Sequence, residues 1–591
     1  MPRFTRERVF PISPTEAWDI LADTDHLNRM IGLPVVEYGP PRDFVRRARA
    51  RFFGIPARWE EHPFQWIQGR GYTVRRDFAT GPVRSMTVGV ELEPAEGDGT
   101  RVRGVADLTP RGPLWRPFMR AVAAPGLRRT LAYVERSLAE RGEALAPPAP
   151  ARPGPVDRPA LARAGAALAA APVDPALVRR LEALVLRGSD DQLVRVRPYA
   201  LAERWGADRD EVLRLFFHAT RAGLFDLRWE LLCPACRVPK AEAAGLGSLP
   251  RTYHCDTCRI DYDADFEARV ELRFSVRPAI RAADDVVYCV GSPMRSPHVV
   301  AQIPLSPGEA RVVELPAGER FRLRAIGAPS EVQLDGGAAF AWESGEWRAV
   351  ETGDTGSPPS GSGDAAVSLE NRSDRPLLAV VERPEDDGLA ATAARVTLMQ
   401  EFRELFGSEV LAPGHEVGIS TLAVLFTDLL GSTAMYEGAG DAPAYGRVRR
   451  HFEFLRERVA AASGAVIKTI GDAVMAAFPT PEAALSAALA MQAEFEPWCR
   501  AAGIDPPLVL KIGLHAGPAV AVAANERLDY FGRTINLAAR IQKQAGGGEV
   551  ALTEELWEAL GRPGGAAERF EAVLPGIDGR VRLVRLSSGP L

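Results

Sequence analysis

Long apolar runs are missing from this 591-residue sequence, and none reaches the ~18 residues that a membrane span requires. Met1–Phe10 carries early arginines but no apolar core of the kind a secretory leader needs. An excess of one charge is missing too. There are 72 basic and 77 acidic side chains, a net charge of −5, which argues against a surface coated for nucleic acid. Lysine is scarce beside arginine, and alanine, glycine and proline are abundant, a pattern of codon bias rather than of function. Cysteine is scarce as well, six in all. These absences predict a soluble, cytoplasmic protein with no membrane partner. At this length one core is not enough, and roughly three to five domains are expected.

Four of the cysteines form two close pairs, Cys233-x-x-Cys236 and Cys255-x-x-Cys258, eighteen residues apart. Thiolates at that spacing read as a tetrahedral structural Zn²⁺ site. A reducing compartment disfavours two structural disulfides, and a redox pair is the alternative. Cys289 and Cys499 stand alone and read as buried side chains.

Two aspartates follow short apolar runs that read as buried strands: Asp428 after Val424–Leu425–Phe426–Thr427, and Asp472 after Ile467–Lys468–Thr469–Ile470–Gly471. Paired carboxylates at strand ends suit hard divalent cations, which share oxygen ligands with substrate phosphates. Gly431, Ser432 and Thr433 read as a helix start, whose free N–H groups suit a polyphosphate. Singly, each aspartate reads equally well as a cap or turn residue. Asn536 and Arg540 are four apart, hence on one face of a helix, and the guanidinium fork suits phosphate oxygens.

These runs, with Gly513–Leu514–His515–Ala516–Gly517 and Asp529–Tyr530–Phe531–Gly532–Arg533–Thr534–Ile535–Asn536, make the segment 413–591 resemble the catalytic domain of class III nucleotidyl cyclases. The resemblance implies a ferredoxin-like α/β domain that turns a nucleoside triphosphate into a cyclic 3′,5′-nucleotide and pyrophosphate. It implies two Mg²⁺ or Mn²⁺ ions per site at Asp428, Leu429 and Asp472, with phosphate binding at Gly431, Ser432 and Thr433. Asn536 would orient the ribose and Arg540 would stabilise charge on the α-phosphate. Lys468 and Asp529 would choose the base. A donor and an acceptor suit adenine, so ATP is the expected substrate, whereas Glu in place of Lys468 would suit guanine. In this family the sites form between two catalytic domains, so a homodimer is expected. The Lys that often binds the terminal phosphates is absent from Leu574–Arg580, where Arg580 or Arg582 is the candidate substitute. The rival readings are a guanylate cyclase, and an inactive nucleotide-binding regulator with a DNA-binding winged helix.

The whole chain reads as multidomain α+β. Residues 1–142 open with Ser13–Pro14–Thr15–Glu16, an N-cap box with Pro at the first helical position. Alternating strands and a long helix over about 116–140 follow, and the pattern resembles a START-like helix-grip domain. That fold often encloses a pocket for an apolar small molecule, and a filled scaffold is the other reading. Residues 143–175 read as a Pro/Ala-rich linker leading into a helical stretch, 176–232 as a winged-helix-like unit poor in basic residues, 233–265 as the zinc ribbon and 266–385 as a β-sandwich with a Gly/Ser/Pro-rich loop over 352–364. The segment 386–412 is expected to be a connecting helix. Its stripe of Leu398, Phe402 and Leu405 either pairs with a second copy or packs on its own domain. Nucleic acid is not an expected partner.

Overall fold

The computed structural model describes residues 3–52, 54–97, 99–140, 154–250, 252–256, 258–263, 269–316, 319–328, 330–334, 338–350, 365–384, 388–406, 416–432, 441–524, 527–563, 567–577 and 579–587. The 352–364 loop therefore lies outside the described residues.

The N-terminal unit begins with the strand Arg3–Phe10 and the helix Pro14–Leu21. Ser13 accepts from the Glu16 N–H while Glu16 accepts from the Ser13 N–H, so two donors at the helix start are satisfied. Arg3–Phe10 pairs with Gly99–Pro110, which pairs with Val83–Ala95, then Gly71–Phe78 and Gln65–Ile67. The helix Met119–Glu140, entered through a 3₁₀ turn at Pro113–Phe118, packs on the first and last of the long strands. Aromatic side chains fill much of the interior: Phe10, Trp18, Phe64, Trp66 and Tyr72 are buried with Leu131 and Val134 from the long helix. A cavity of about 680 Å³ on this unit is lined by charged and aromatic groups together, among them Tyr38, Arg47, Arg58 and Trp59.

The expected helical stretch after the Pro/Ala-rich segment forms two helices, Arg158–Ala169 and Pro175–Arg187. Pro198–Trp205 and Arg209–Arg221 follow, separated by Gly206 in the left-handed conformation (φ 58°) and capped by Asp208. The second of these helices turns its apolar side inward. Phe216 lies 5.0 Å from Phe225 and 4.9 Å from Phe274, centroid to centroid, and both Phe216 and Phe217 are fully buried. Arg209 pairs with Glu203 and Arg214 with Glu401, so these basic groups are engaged within the chain. Phe225–Leu232 is the central strand of a three-stranded sheet flanked by Pro239–Ala243 and Val270–Val276. Val270–Val276 therefore pairs into this unit rather than into the sandwich, where the sequence puts it.

The sandwich itself starts at Val299 and encloses Val313, Leu323, Phe340, Trp347, Val367 and Val381. One of its sheets is not separate. Val299–Leu305 pairs antiparallel with Gln65–Ile67, so the N-terminal sheet runs on into the sandwich.

The sequence predicts one connecting helix; the chain forms two short ones, Ala393–Thr397 and Gln400–Phe406. Leu398 and Phe402 are buried within the chain. Phe402 meets Phe217 at 5.3 Å and Trp229 at 5.9 Å, so the apolar stripe packs on its own polypeptide.

The C-terminal domain is a sheet in the order Ala465–Ile470, Ala473–Phe478, Glu416–Leu429, Leu510–Ala524, Glu549–Thr553, Arg580–Ser587, Ala567–Val573. Its central strand is apolar on both sides because both sides are covered. Ala423 and Leu425 meet the helices Asp441–Ala461 and Pro481–Ala501 through Phe454 and Phe495. Leu422, Val424 and Phe426 join the cluster that holds Phe402 and the helix Arg533–Gln542. That helix crosses the sheet at Gly513, where a Cβ would stand 2.2 Å from the Gln542 nitrogen, so only glycine fits.

Candidate active site

Antiparallel register brings the two aspartates to one end of the sheet. Phe426 lies opposite Met475 and Val424 opposite Ala477, so the strand end at Asp428 meets the turn that carries Asp472. Gly471, at φ 65°, makes that tight turn. The Asp472 Oδ2 atom is buried and has no hydrogen-bond partner. A buried carboxylate oxygen without a partner is costly unless a ligand completes it, and this is the feature that fits a bound cation. Leu429 is buried, so only its main chain could contribute. Gly431 and Ser432 follow at the turn into a helix, whereas Thr433 lies outside the described residues.

Asp428 has a partner that the sequence does not reveal. Lys511 sits directly across in the register, and its Nζ lies 2.7 Å from Asp428 Oδ2. His451 is a second unforeseen neighbour. It is fully buried, its Nδ1 lies 2.6 Å from the Val448 carbonyl, and burial pushes its pKa down to about 4 although the Asp472 charge pulls the other way.

Lys468 and Asp529 meet in the same chain. Lys468 Nζ lies 2.6 Å from Asp529 Oδ2 and 5.6 Å from the Phe531 ring centroid. Asp529 Oδ1 accepts from the Tyr530 N–H at 2.8 Å, which fixes the carboxylate. Both strands are gripped from the connecting segment: Gln400 Oε1 accepts from the Val466 N–H at 2.8 Å, and Arg403 donates to the Leu528 carbonyl while lying 5.8 Å from the Tyr530 ring.

Asn536 is exposed on the helix Arg533–Gln542, and Arg540 is half-buried one turn later. The Arg540 guanidinium rests against the Leu574–Ile577 turn, where a Cβ on Gly576 would lie 3.2 Å from Nη2. It has no carboxylate partner among the described residues. Among the described residues no hydrogen bond or ion pair joins Asp428 or Asp472 to Lys468, Asp529, Asn536 or Arg540. Arg580 and Arg582 are exposed and paired with Glu571 and Glu554.

Away from this site, the Sγ atoms of Cys233, Cys236, Cys255 and Cys258 all lie within 4.8 Å of one another, and all four residues are buried. The two knuckles match: Arg237 and Arg259 each sit at φ 55°, and each donates its N–H to the carbonyl of the first cysteine of its pair. Such a set of thiols fits one tetrahedral ion. The first knuckle also docks on the sandwich. His298 and Arg324 both reach the Ala235 carbonyl at 3.0 Å, and Arg324 in turn pairs with the fully buried Glu382.

Residues 416–577 match the adenylate and guanylate cyclase catalytic domain, residues 1–143 match the polyketide cyclase/dehydrase and lipid transport family, and residues 164–286 match a family of unknown function. The chain is 32% identical over 184 residues to an adenylate cyclase of Mycosarcoma maydis, covering 27% of this chain and 7% of that protein. It is 33% identical over 135 residues to adenylate cyclase 1 of Rhizobium meliloti, covering 20% of each. A pH-sensitive adenylate cyclase of Mycobacterium tuberculosis is 29% identical over 204 residues, covering 32% of this chain and 48% of that protein. The chain thus spans well under two thirds of these relatives. Among solved structures it is similar to an adenylyl cyclase from P. aeruginosa (22% identical, 30% of this chain, 97% of that chain, TM-score 0.27). The guanylate cyclase domain of a Catenaria anguillulae protein, solved with GTP, is similar at 15% identity (29% of this chain, 97% of that chain, TM-score 0.27). This chain carries an adenylate and guanylate cyclase catalytic domain at its C-terminal end and a domain of the polyketide cyclase and lipid transport family at its N-terminal end.

Proposed function

We propose that the chain is an adenylate cyclase, converting ATP to 3′,5′-cyclic AMP and pyrophosphate at a site completed by a second copy. The Lys468–Asp529 pair carries the reading. Adenine presents an N6 amino donor and an N1 acceptor. A carboxylate facing N6 and an ammonium facing N1 complement that edge, and in the same order guanine would set its O6 against the carboxylate and its N1–H against the ammonium. Asn536 and Arg540 extend from the helix that follows Asp529. Asn536 would hold the ribose so that its 3′-hydroxyl faces the α-phosphorus, and Arg540 would receive the charge that builds on the α-phosphate oxygens as pyrophosphate leaves.

Asp428 and Asp472, with the Leu429 main chain, would hold two Mg²⁺ or Mn²⁺ ions, which when bound favour loss of the hydroxyl proton and neutralise the polyphosphate. The unpartnered Asp472 oxygen supports this assignment. Lys511 would hold the Asp428 carboxylate in place before loading. Gly431, Ser432 and Thr433 would offer main-chain donors to the phosphates.

The resemblance to class III cyclases implies a homodimer in which each copy gives one set of these residues to each site, and the lack of any bond between Asp428 or Asp472 and the Lys468–Asp529 pair among the described residues supports it. The four clustered thiols support a structural Zn²⁺, and four unbridged cysteines suit a reducing, cytoplasmic compartment. We further read 176–232 as winged-helix-like, the catalytic sheet as ferredoxin-like, and the upstream domains as regulatory. The connecting helices, which touch the strands of both Lys468 and Asp529, are the candidate route.

The test is product identity. The purified full chain with Mn²⁺ or Mg²⁺ is expected to make cyclic AMP from ATP and little cyclic GMP from GTP. Lys468→Glu is expected to lower ATP turnover by roughly 100-fold or more and shift the ratio of products toward cyclic GMP. An unchanged ratio in the variant would show that this pair does not read the base.

A further inference from the structure

From Leu108 to Val134 the chain has no carboxylate and five arginines, Arg111, Arg116, Arg120, Arg128 and Arg129, in a protein whose net charge is −5. This stretch forms the 3₁₀ turn Pro113–Phe118 and the first four turns of the helix Met119–Glu140. Its inner side packs well: Met119, Ala123 and Leu127 join Val83, Ala106 and Leu108 in one buried cluster. Its outer side does not. Leu114 is 85% exposed, Phe118 57%, and Trp115 and Val122 45% each. Trp115 and Phe118 meet edge to face at 6.0 Å, so the two rings form one continuous apolar surface.

Single exposed apolar residues are ordinary, but four within nine positions, two of them large aromatics, are not. The arginines around them divide into two groups. Arg111 is used internally, donating to the carbonyls of Phe78 and Gly81, which ties the turn to the sheet. Arg129 donates to the Ile31 carbonyl. Arg116, Arg120 and Arg128 are exposed and have no partner among the described residues. Arg116 and Arg120 are four apart and adjoin the apolar positions 115, 118 and 122, so cationic and apolar stripes run side by side.

We infer that residues 113–122 form a docking surface for an anionic lipid bilayer. Tryptophan and phenylalanine suit the boundary between headgroups and acyl chains, and unpaired arginines beside them suit anionic headgroups. The absence of any carboxylate in the stretch removes the repulsion that an anionic surface would otherwise meet. No helix among the described residues is long and apolar enough to cross a membrane, so this contact is peripheral and reversible. It would hold the N-terminal domain against the inner face of the membrane, whereas the composition of the chain predicts no membrane partner.

The experiment is flotation of the full chain with phosphatidylcholine vesicles, with and without phosphatidylglycerol. Binding is expected only with phosphatidylglycerol, and it should weaken as salt is raised. Trp115→Ser/Phe118→Ser and Arg116→Glu/Arg120→Glu should each reduce the bound fraction by roughly tenfold or more. These side chains are exposed, so both variants should keep the wild-type circular dichroism and the wild-type vesicle-free activity. Failure of the wild-type chain to float with anionic vesicles overturns the assignment, as does equal flotation of the variants. If light scattering instead finds an assembly that Trp115→Ser disperses, with no vesicle binding, the surface is a self-contact and the lipid assignment falls.

Discussion

Asp472→Ala is expected to lower cyclic AMP production by roughly 1,000-fold while leaving the melting temperature unchanged or slightly higher. The two effects have different signs for one reason. In the resting chain the Asp472 Oδ2 atom is buried without a partner, and such a group costs the fold rather than supporting it. Removing it relieves that cost and at the same time removes a cation ligand. Asp428 is expected to behave differently. Its carboxylate pairs with Lys511, whose side chain is only 17% exposed, so Asp428→Ala leaves a mostly buried ammonium unpaired and loses stability along with activity. Parallel thermal melts and product assays check this. If Asp472→Ala melts several degrees lower and keeps much of its activity, the residue is a turn aspartate and the metal reading is wrong.

Cys255→Ser is expected to unfold the segment built around the four clustered cysteines. Its second knuckle sits in a short hairpin that pairs Thr252–Cys255 with Ile260–Asp263. The four cysteines are themselves the buried centre, with Ala235, Val238, Ile260 and Tyr262 packed around them. For structural zinc sites the metal contributes about 10–16 kcal/mol of apparent binding free energy at neutral pH, more than a hairpin of this size can supply by burial. The loss should spread to the sandwich, because the Ala235 carbonyl receives both His298 and Arg324. Arg324 would then be left with Glu382 alone in a buried place. Metal analysis of the wild-type chain should find one zinc, and the variant should have none, a lower melting temperature and new protease cleavage within 233–263. A wild-type chain without zinc that melts and resists protease like the metal-loaded one would contradict the assignment.

What the sequence makes legible here is chemistry carried by short local runs. Cys233, Cys236, Cys255 and Cys258 are readable because a knuckle needs only two intervening residues, and the four thiols do converge. Lys468 and Asp529 are 61 positions apart yet readable as a pair because each sits in a distinctive run, and their side chains are in contact. Lys511 is not readable, because its place beside Asp428 depends on the register between two long strands that meet only in the folded sheet. The join between Gln65–Ile67 and Val299–Leu305 hides for the same reason, at far greater separation. Leu398, Phe402 and Leu405 form a stripe whose partner the pattern cannot name, and Phe217 and Trp229 are what meet Phe402. Val270–Val276 alternates like any sandwich strand, and only its pairing with Phe225–Leu232 assigns it upstream.

The central claim is that two copies complete each site, and a mixing experiment tests it most directly. Asp472→Ala and Arg540→Ala chains are each expected to be inactive alone, because every homodimer then lacks a group from both sites. Mixed in equal amounts and allowed to exchange, half of the dimers carry one chain of each kind and one intact site of two, so activity should return to about a quarter of wild type. Activity no higher than that of either variant alone, with exchange confirmed, would mean that each chain works through its own residues and that the shared site does not exist.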